Sequence, residues 1–503
     1  MSSYAVKGAT LKGLEAIPVT VEVDLAGGIP GMTIVGMPDS AVLEARHRIR
    51  CAFRESNFEM PRLHITVNLA PSDLRKSGTG LDLAIAVATL AASGQMPKTD
   101  LDSCLFVGEL GLSGDVSSVR GGIAYALLAR ELGLTLVGAP ALVKDCASVG
   151  GIAPKEISAL TQVRLGVSRL VDSTPVNLPG IRARHSLDYS DVVDQEAAKR
   201  ALVIAAAGGH GMLMMGPPGS GKTMLARRMP SILPELDEAE RLEALLVHSV
   251  CGESIDDISA GYRPFRSPHH SVSRAGLVGG GNPVRPGEAS LAHRGVLFLD
   301  ELPEFSPSVL QALRQPMEDR EVGLVRAEGS YSFPCAFQLI AASNPCPCGH
   351  AGDRGRACTC TPQEIARYQG RIGGALMDRI DVFVDVQRPA AARVIKGSEG
   401  LGSNEMLEQV VGARDFSSWR RAKRDGATVD VDVASCALDA SAASLLETMS
   451  ERLALGGRAI TRTARVARTI ADLSQSECVT SAHVAEACAF RCRFETGGHH
   501  AGR

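Results

Sequence analysis

The sequence predicts an α/β protein with a parallel-sheet, nucleotide-binding core, an α/β domain ahead of it and a helical domain behind it. Three observations carry that expectation. A glycine-rich loop, Gly216-Pro217-Pro218-Gly219-Ser220-Gly221-Lys222-Thr223, sits between an apolar strand and a helix. A second apolar strand from Gly295 ends in the acidic pair Asp300-Glu301. From about residue 403 the hydrophobic spacing becomes helical throughout, as in Ala442–Leu453, Ile460–Leu473 and Ala482–Arg491.

At 503 residues the chain is too long for one ordinary core. Residues 1–170 alternate strand-like runs (Val19–Leu25, Leu63–Leu69, Leu105–Val107) with helix-like ones (Leu81–Leu90, Ala124–Leu132) and predict a compact α/β domain. Residues 171–190, with Pro175, Pro179 and Gly180 among polar residues, read as a linker. Residues 191–390 carry the nucleotide chemistry, and 391–503 form the helical region.

Composition narrows the function. Aromatics are only 4%, with the single Trp419, which argues against a single-strand binder built on many base-stacking platforms. A net charge of −3 gives no global pull toward nucleic acid, so such binding needs a local patch. Met1–Val23 mixes Lys7, Lys12, Glu15 and Glu22 with short apolar stretches and does not fit a signal peptide. The most apolar stretch, Leu81–Ala92, is short and contains Asp82, so no membrane span is expected. The chain reads as cytoplasmic, and its 13 cysteines then imply free thiols or a metal rather than disulfides.

Gly216–Thr223 satisfies G-x-x-x-x-G-K-[ST] in full, after the apolar Met212–Met215 and before the helix that opens with Met224–Met229. Glycines let the backbone turn its N–H groups onto phosphates at the positive end of that helix. Lys222 would reach the β- and γ-phosphates of ATP and the Thr223 hydroxyl would bind Mg²⁺. Asp300 would hold the same ion, directly or through water, and Glu301 would orient and activate the attacking water. Asn344 closes the apolar strand Gln338–Ala342, where an amide can hold the lytic water; an ordinary turn before Pro345 is the other explanation. Arg379, in Leu376–Asp381, is either a catalytic arginine or a helix-end salt bridge. Arg458, Arg462, Arg465 and Arg468 share one helical face, phosphate-seeking or merely solvated.

Cys346-Pro-Cys348 and Cys358-Thr-Cys360 flank a Gly/Arg-rich loop within 346–360. Two thiol pairs so spaced can converge on one tetrahedral Zn²⁺, with His350 as a substitute ligand; reduced thiols in a loose loop are the alternative. Four protein ligands would make the zinc structural, bracing the loop after Asn344. Between Arg263 and Arg294 stand five Arg and three His against one acid, Glu288, in a loop-rich stretch. Glu321–Phe333, carrying Arg326, predicts a hairpin. Both segments are candidates for DNA phosphate contacts, and a solvated basic face or a subunit interface is the competing explanation.

The ordered run of motifs resembles the magnesium-chelatase-like AAA+ proteins of bacteria, most closely the ComM group. The likeness is carried by Ala198–His210 (AKRALVIAAAGGH), the loop at 216–223, Arg263–Ser271 (RPFRSPHHS), Leu277–Gly281 (LVGGG), Pro286–His293 (PGEASLAH), the acidic strand, Asn344–Gly349 (NPCPCG) and Met377–Asp381. The resemblance implies an AAA+ P-loop core, a Lon-protease-like N-terminal domain and a helical lid. It implies a sensor role for Asn344, and for Arg379 a finger that reaches the neighbouring subunit's γ-phosphate. Arg458 would be a second sensor from the lid. It further implies a homo-oligomeric, six-membered ring that couples ATP hydrolysis to movement on branched or single-stranded DNA, as a branch-migration helicase in recombination or transformation. The alternative is a chelatase-type motor that remodels a protein partner. In the N-terminal domain the likeness rests on Lys76–Asp82 and Gly108–Gly114. The peptidase Ser position falls on Gly80 and the Lys position near Tyr125, with Ser77 offset, so no proteolysis is expected and a partner-binding or DNA-binding role is.

Overall fold

The computed structural model describes residues 2–173, 187–326, 329–353, 355–396, 400–423 and 432–491. At its centre lies a five-stranded sheet in the order Phe265–Arg266, Val296–Leu299, Gln338–Ser343, Met212–Met215 and Val382–Asp385. Every pairing in it is parallel. Parallel strands covered on both faces need near-continuous apolar runs rather than alternation. Val296, Leu297, Phe298 and Leu299 are accordingly all fully buried. The order runs second, third, fourth, first, fifth along the chain, so the direction of winding reverses beside Met212–Met215. In open parallel sheets such a reversal marks the place, at the C-terminal strand ends, where ligands bind.

The N-terminal part forms an eight-stranded mixed sheet around the antiparallel pair Ser2–Lys12 and Glu15–Ala26. The expected helices appear as Asp82–Ala92 and Gly122–Leu132. Every residue of Asp82–Ala92 is buried, and its one charge is matched by Arg48, whose Nε and Nη2 lie 2.6 and 2.9 Å from the carboxylate. Gly122–Leu132 seats this sheet on the nucleotide-binding part. Ile123 and Tyr125 share a core with Ala244 and Leu245 of the helix Glu238–Cys251. Ser249 of that helix accepts the Ile123 N–H on its Oγ at 3.1 Å and the Gly121 N–H on its carbonyl at 2.9 Å.

Most of the stretch expected as a linker over 171–190 lies outside the described residues. Its described ends are anchored: Val171–Asp172 pairs with Lys155–Glu156, and the buried Tyr189 donates its hydroxyl to the Leu225 carbonyl at 2.8 Å. Beyond residue 400 the described chain is helical, with Ser403–Ala422, Ala440–Arg452, Gly457–Leu473 and Ser481–Ala489. Their apolar faces join the helix Glu196–Gly208 and the strand Met212–Met215 in one core. No described helix is long and apolar enough to cross a membrane.

Asp472 organises the last region. Its carboxylate lies 3.1 Å from Arg420 Nε and 3.0 Å from Arg468 Nη2, and all three side chains are buried. Arg468 also donates to the carbonyls of Ser476, Glu477 and Cys436. Of the four arginines that periodicity puts on one helical face, Arg468 is thus a structural clamp and not a phosphate ligand. Asp472→Ala, by leaving two buried guanidiniums without their carboxylate, is expected to cost about 3–5 kcal/mol. The midpoint of denaturant unfolding reads that loss, and Asp472→Asn should recover part of it.

Candidate active site

The loop Gly216–Thr223 leaves the first strand of the sheet at Met215 and enters the short helix Lys222–Arg227. Gly221, the residue ahead of that helix, has φ 93°, a conformation that side chains with a Cβ rarely adopt. At Gly216 the reason for glycine is space, because a Cβ there would lie 2.0 Å from the Val386 carbonyl oxygen. Lys222 is buried within the loop and donates to the carbonyls of Gly216 (2.7 Å) and Pro217 (3.1 Å) and to Asn344 Oδ1 (3.2 Å). Burial lowers its pKa, and the nearby Asp300 and Glu301 oppose that shift.

The acidic strand ends alongside. Thr223 Oγ1 donates to Asp300 Oδ2 at 2.7 Å, although the two residues are 77 apart in the chain. A hydroxyl and a carboxylate at one point make an all-oxygen donor set suited to a hard cation, so Thr223 and Asp300 fit Mg²⁺. Glu301 takes a left-handed backbone, φ 52°, and its N–H bonds Asp300 Oδ1 at 3.0 Å. Over half of the Glu301 side chain is exposed. Asn344, 122 residues from Lys222, completes the cluster, and the Ser343 carbonyl beside it accepts the Gly216 N–H at 3.2 Å.

The structure adds a residue that motif reading missed. His270 Nδ1 lies 3.8 Å from Glu301 Oε2, with its ring edge-on to Phe305 and 4.0 Å from that of His269. The available signal is the distinctive RPFRSPHHS segment, whose histidines read from sequence as part of a basic surface. Much of that expected surface is neutralised within the chain. Arg263 pairs with Glu240 (2.8 Å), Arg266 with Glu288 (2.7 Å) and Glu253 (3.1 Å), and Arg294 with Glu243 (2.8 Å). His293 is buried against Glu243. Arg274 and Arg285 remain exposed.

Arg379 lies at the other end of the sheet. Gly211, just before the first strand, accepts the N–H groups of Asp381 and Val382 at 2.9 and 3.0 Å, whereas the phosphate-binding loop follows the last residue of that strand. A full strand therefore separates Arg379 from Lys222 of the same chain. The Arg379 side chain is buried, is paired with Glu318, and borders a cavity of about 430 Å³ shared with Arg462 and Arg465. Burial lowers its pKa, as do the charges of Arg314, Arg462 and Arg458. Arg458 lines a neighbouring pocket with Glu318, Arg462 and Arg465. It stands with Arg379 rather than with its own phosphate-binding loop, so the lid does not bring Arg458 to the nucleotide site of its own chain.

Cys346, Cys348, Cys358 and Cys360 do converge, their Sγ atoms all within 4.8 Å of one another. His350 does not join them, since its Nδ1 lies 3.0 Å from Asp353. In the N-terminal sheet Gly80 and Tyr125, the positions expected from the resemblance for a peptidase Ser and Lys, face each other: a Cβ on Gly80 would sit 3.4 Å from the Tyr125 hydroxyl. Neither position carries a nucleophile or an amine, and burial raises the Tyr125 pKa far above the ordinary tyrosine value.

Comparison with known proteins covers all these segments. Residues 188–394 match the family described as magnesium chelatase, subunit ChlI; residues 21–141 match subunit ChlI of Mg-chelatase, and 400–491 its C-terminal part. YifB of Escherichia coli is 40% identical over 98% of this chain and 97% of its own. The competence protein ComM of Haemophilus influenzae is 39% identical over 98% of each. The chain belongs to the magnesium-chelatase-like family, in its ComM-type group. The 38 kDa magnesium-chelatase subunit of Rhodobacter capsulatus is 28% identical over only 33% of this chain. A ComM-type member of this family carries an ATP-binding AAA+ ATPase core, and Lys222, Thr223, Asp300 and Asn344 gather at the C-terminal ends of its parallel strands.

Glu301→Gln is expected to keep nucleotide affinity and lower ATP turnover about 10²–10⁴-fold, the range for losing a positioned base. Lys222→Ala should lose nucleotide binding itself. His270→Ala should lower turnover with unchanged ADP affinity, which separates orientation of Glu301 from contact with the nucleotide.

Proposed function

We propose that the chain is a ring-forming ATPase motor that moves on DNA, with each active site completed by Arg379 and Arg458 of the adjacent subunit. The observation that supports the ring is that Arg379 and Arg458 lie at the end of the sheet opposite Lys222, out of reach of their own nucleotide loop and able to approach a neighbour's γ-phosphate. A six-membered homo-oligomer follows the family resemblance. Mg²⁺ held by Thr223 and Asp300 would neutralise phosphate charge, Glu301 would orient the attacking water, and Asn344 would hold that water against the γ-phosphate.

DNA as the substrate is supported by a convergence of two separate segments. Arg326, exposed on the hairpin Glu321–Arg326 with Gly329–Pro334, lies over Gly280, with its Nη2 3.4 Å from where a Cβ would be. Gly280 exchanges backbone hydrogen bonds of 2.9 Å with Arg285 and packs on Ala275, next to Arg274. Exposed Arg274, Arg285 and Arg326 thus gather around one glycine in an otherwise slightly acidic chain. Branch migration or unwinding of recombining DNA is the activity this ComM-type chain would perform, in the cytoplasm. The N-terminal sheet, lacking a peptidase pair, would bind a partner protein or DNA.

ATP turnover should rise on adding branched or single-stranded DNA, fall back steeply with salt, and lose its stimulation in an Arg285→Glu, Arg326→Glu double variant with basal turnover retained. Turnover indifferent to every DNA form would instead favour a chelatase-type motor acting on a protein. Arg379→Ala should slow hydrolysis by about 10³-fold or more. Mixing it with Lys222→Ala subunits should restore part of the activity, because some interfaces then contain both intact groups; no recovery on mixing would count against the shared site.

A further inference from the structure

The Cys346–Cys360 segment serves no step of ATP hydrolysis, yet it forms the one compact group of soft metal ligands among the described residues. Cys346 Sγ lies 3.4 Å from Cys348 Sγ and 3.6 Å from Cys358 Sγ, and Cys348 and Cys358 are 3.6 Å apart. Four sulfurs around a tetrahedral Zn²⁺ at ~2.3 Å are separated by about 3.8 Å, so the thiols already stand close to ligand spacing. Backbone N–H groups point at the sulfurs: Ala351 to Cys346 at 3.3 Å, Cys348 to Cys360 at 3.4 Å, and Cys360 to Cys358 at 3.4 Å. Such donors stabilise thiolates over thiols and orient them toward a metal. The described cysteines are all free thiols, so no disulfide competes for this geometry.

The same segment forms a wall of the phosphate-binding loop. Gly349, φ 83°, packs so closely on Pro218 that a Cβ would lie 2.6 Å from the ring Cδ. Arg388 donates to the Pro218 carbonyl at 3.2 Å and pairs with Asp353 at 3.5 Å, while Asp353 holds His350 at 3.0 Å. Gly349, His350 and Asp353 all lie between the two cysteine pairs. We infer that the four cysteines bind one structural Zn²⁺ and that this ion fixes the wall on which Pro217-Pro218 rests, making nucleotide affinity depend on the metal. The soft, closed sulfur set selects zinc over Mg²⁺ and leaves no open position for substrate.

The full chain, purified under reducing conditions without chelator, should contain one zinc per chain by mass spectrometry of the metal. A thiol-specific mercurial should release it, and Co²⁺ exchange should give the visible spectrum of tetrahedral thiolate coordination. Cys358→Ser should lose the zinc and the exposed Cys478→Ser should keep it. Gly349→Ala retains all four sulfurs but forces a Cβ into a left-handed backbone against Pro218. It should keep its zinc and bind fluorescent ADP about tenfold more weakly. A chain that contains no zinc and takes up neither Zn²⁺ nor Co²⁺ overturns the metal site. Zinc-loaded, zinc-stripped and Gly349→Ala chains with equal ADP affinity overturn its link to the loop. Metal content is read without ATP or DNA, so this result stands apart from the motor assignment.

Discussion

The structure depends on the position of one short strand. Met212–Met215 lies between Gln338–Ser343 and Val382–Asp385, and the parallel order reverses beside it. Because every strand points the same way, Lys222, Asp300 and Asn344 leave the sheet at the same end from positions far apart in the chain. The backbone ladder supplies this register, so the site needs no mobile loop to assemble it. Burial of the strands on both faces makes the platform stiff, and close packing makes a shift of any one strand costly.

The same parallel order makes the two ends of the sheet chemically different. One end presents backbone N–H groups, Lys222 and the hydrogen-bonded pair Thr223 and Asp300. The other collects Arg379, Arg458, Arg462 and Arg465, with Glu318, Asp378 and Asp381 among the acids that offset them. Crowding guanidiniums is unfavourable in isolation, and Arg379 has its pKa lowered by burial and by its neighbours. A phosphate group brought to that end would relieve the repulsion. The helical region adds its own rigid frame, in which Asp472 holds Arg420 and Arg468 out of water.

The wall around the phosphate-binding loop comes from a different part of the chain. Gly349 touches Pro218, and Arg388 bridges Pro218 to Asp353. The cysteine segment therefore meets the loop at Pro218 through contacts of van der Waals and hydrogen-bond length. Elsewhere, Ser249 and the helix Gly122–Leu132 couple the N-terminal sheet to the helix Glu238–Cys251.

The sequence by itself determined the parts whose chemistry is local. Gly216–Thr223 is readable because phosphate binding needs glycines, a lysine and a hydroxyl within a few residues. The acidic pair is readable because a buried strand must be apolar until it ends, and the convergent cysteines because four thiols at short spacing share few fates. Tertiary structure alone decided which charges are available. Arg263, Arg266 and Arg294 look like a basic surface until Glu240, Glu243, Glu253 and Glu288 are folded against them. His270 gains its place beside Glu301, and Arg458 its place beside Arg379, only from strand order and helix packing. Electrostatic partnership depends on separation in space, and in a parallel sheet that separation is set by long crossovers to which local sequence spacing is blind.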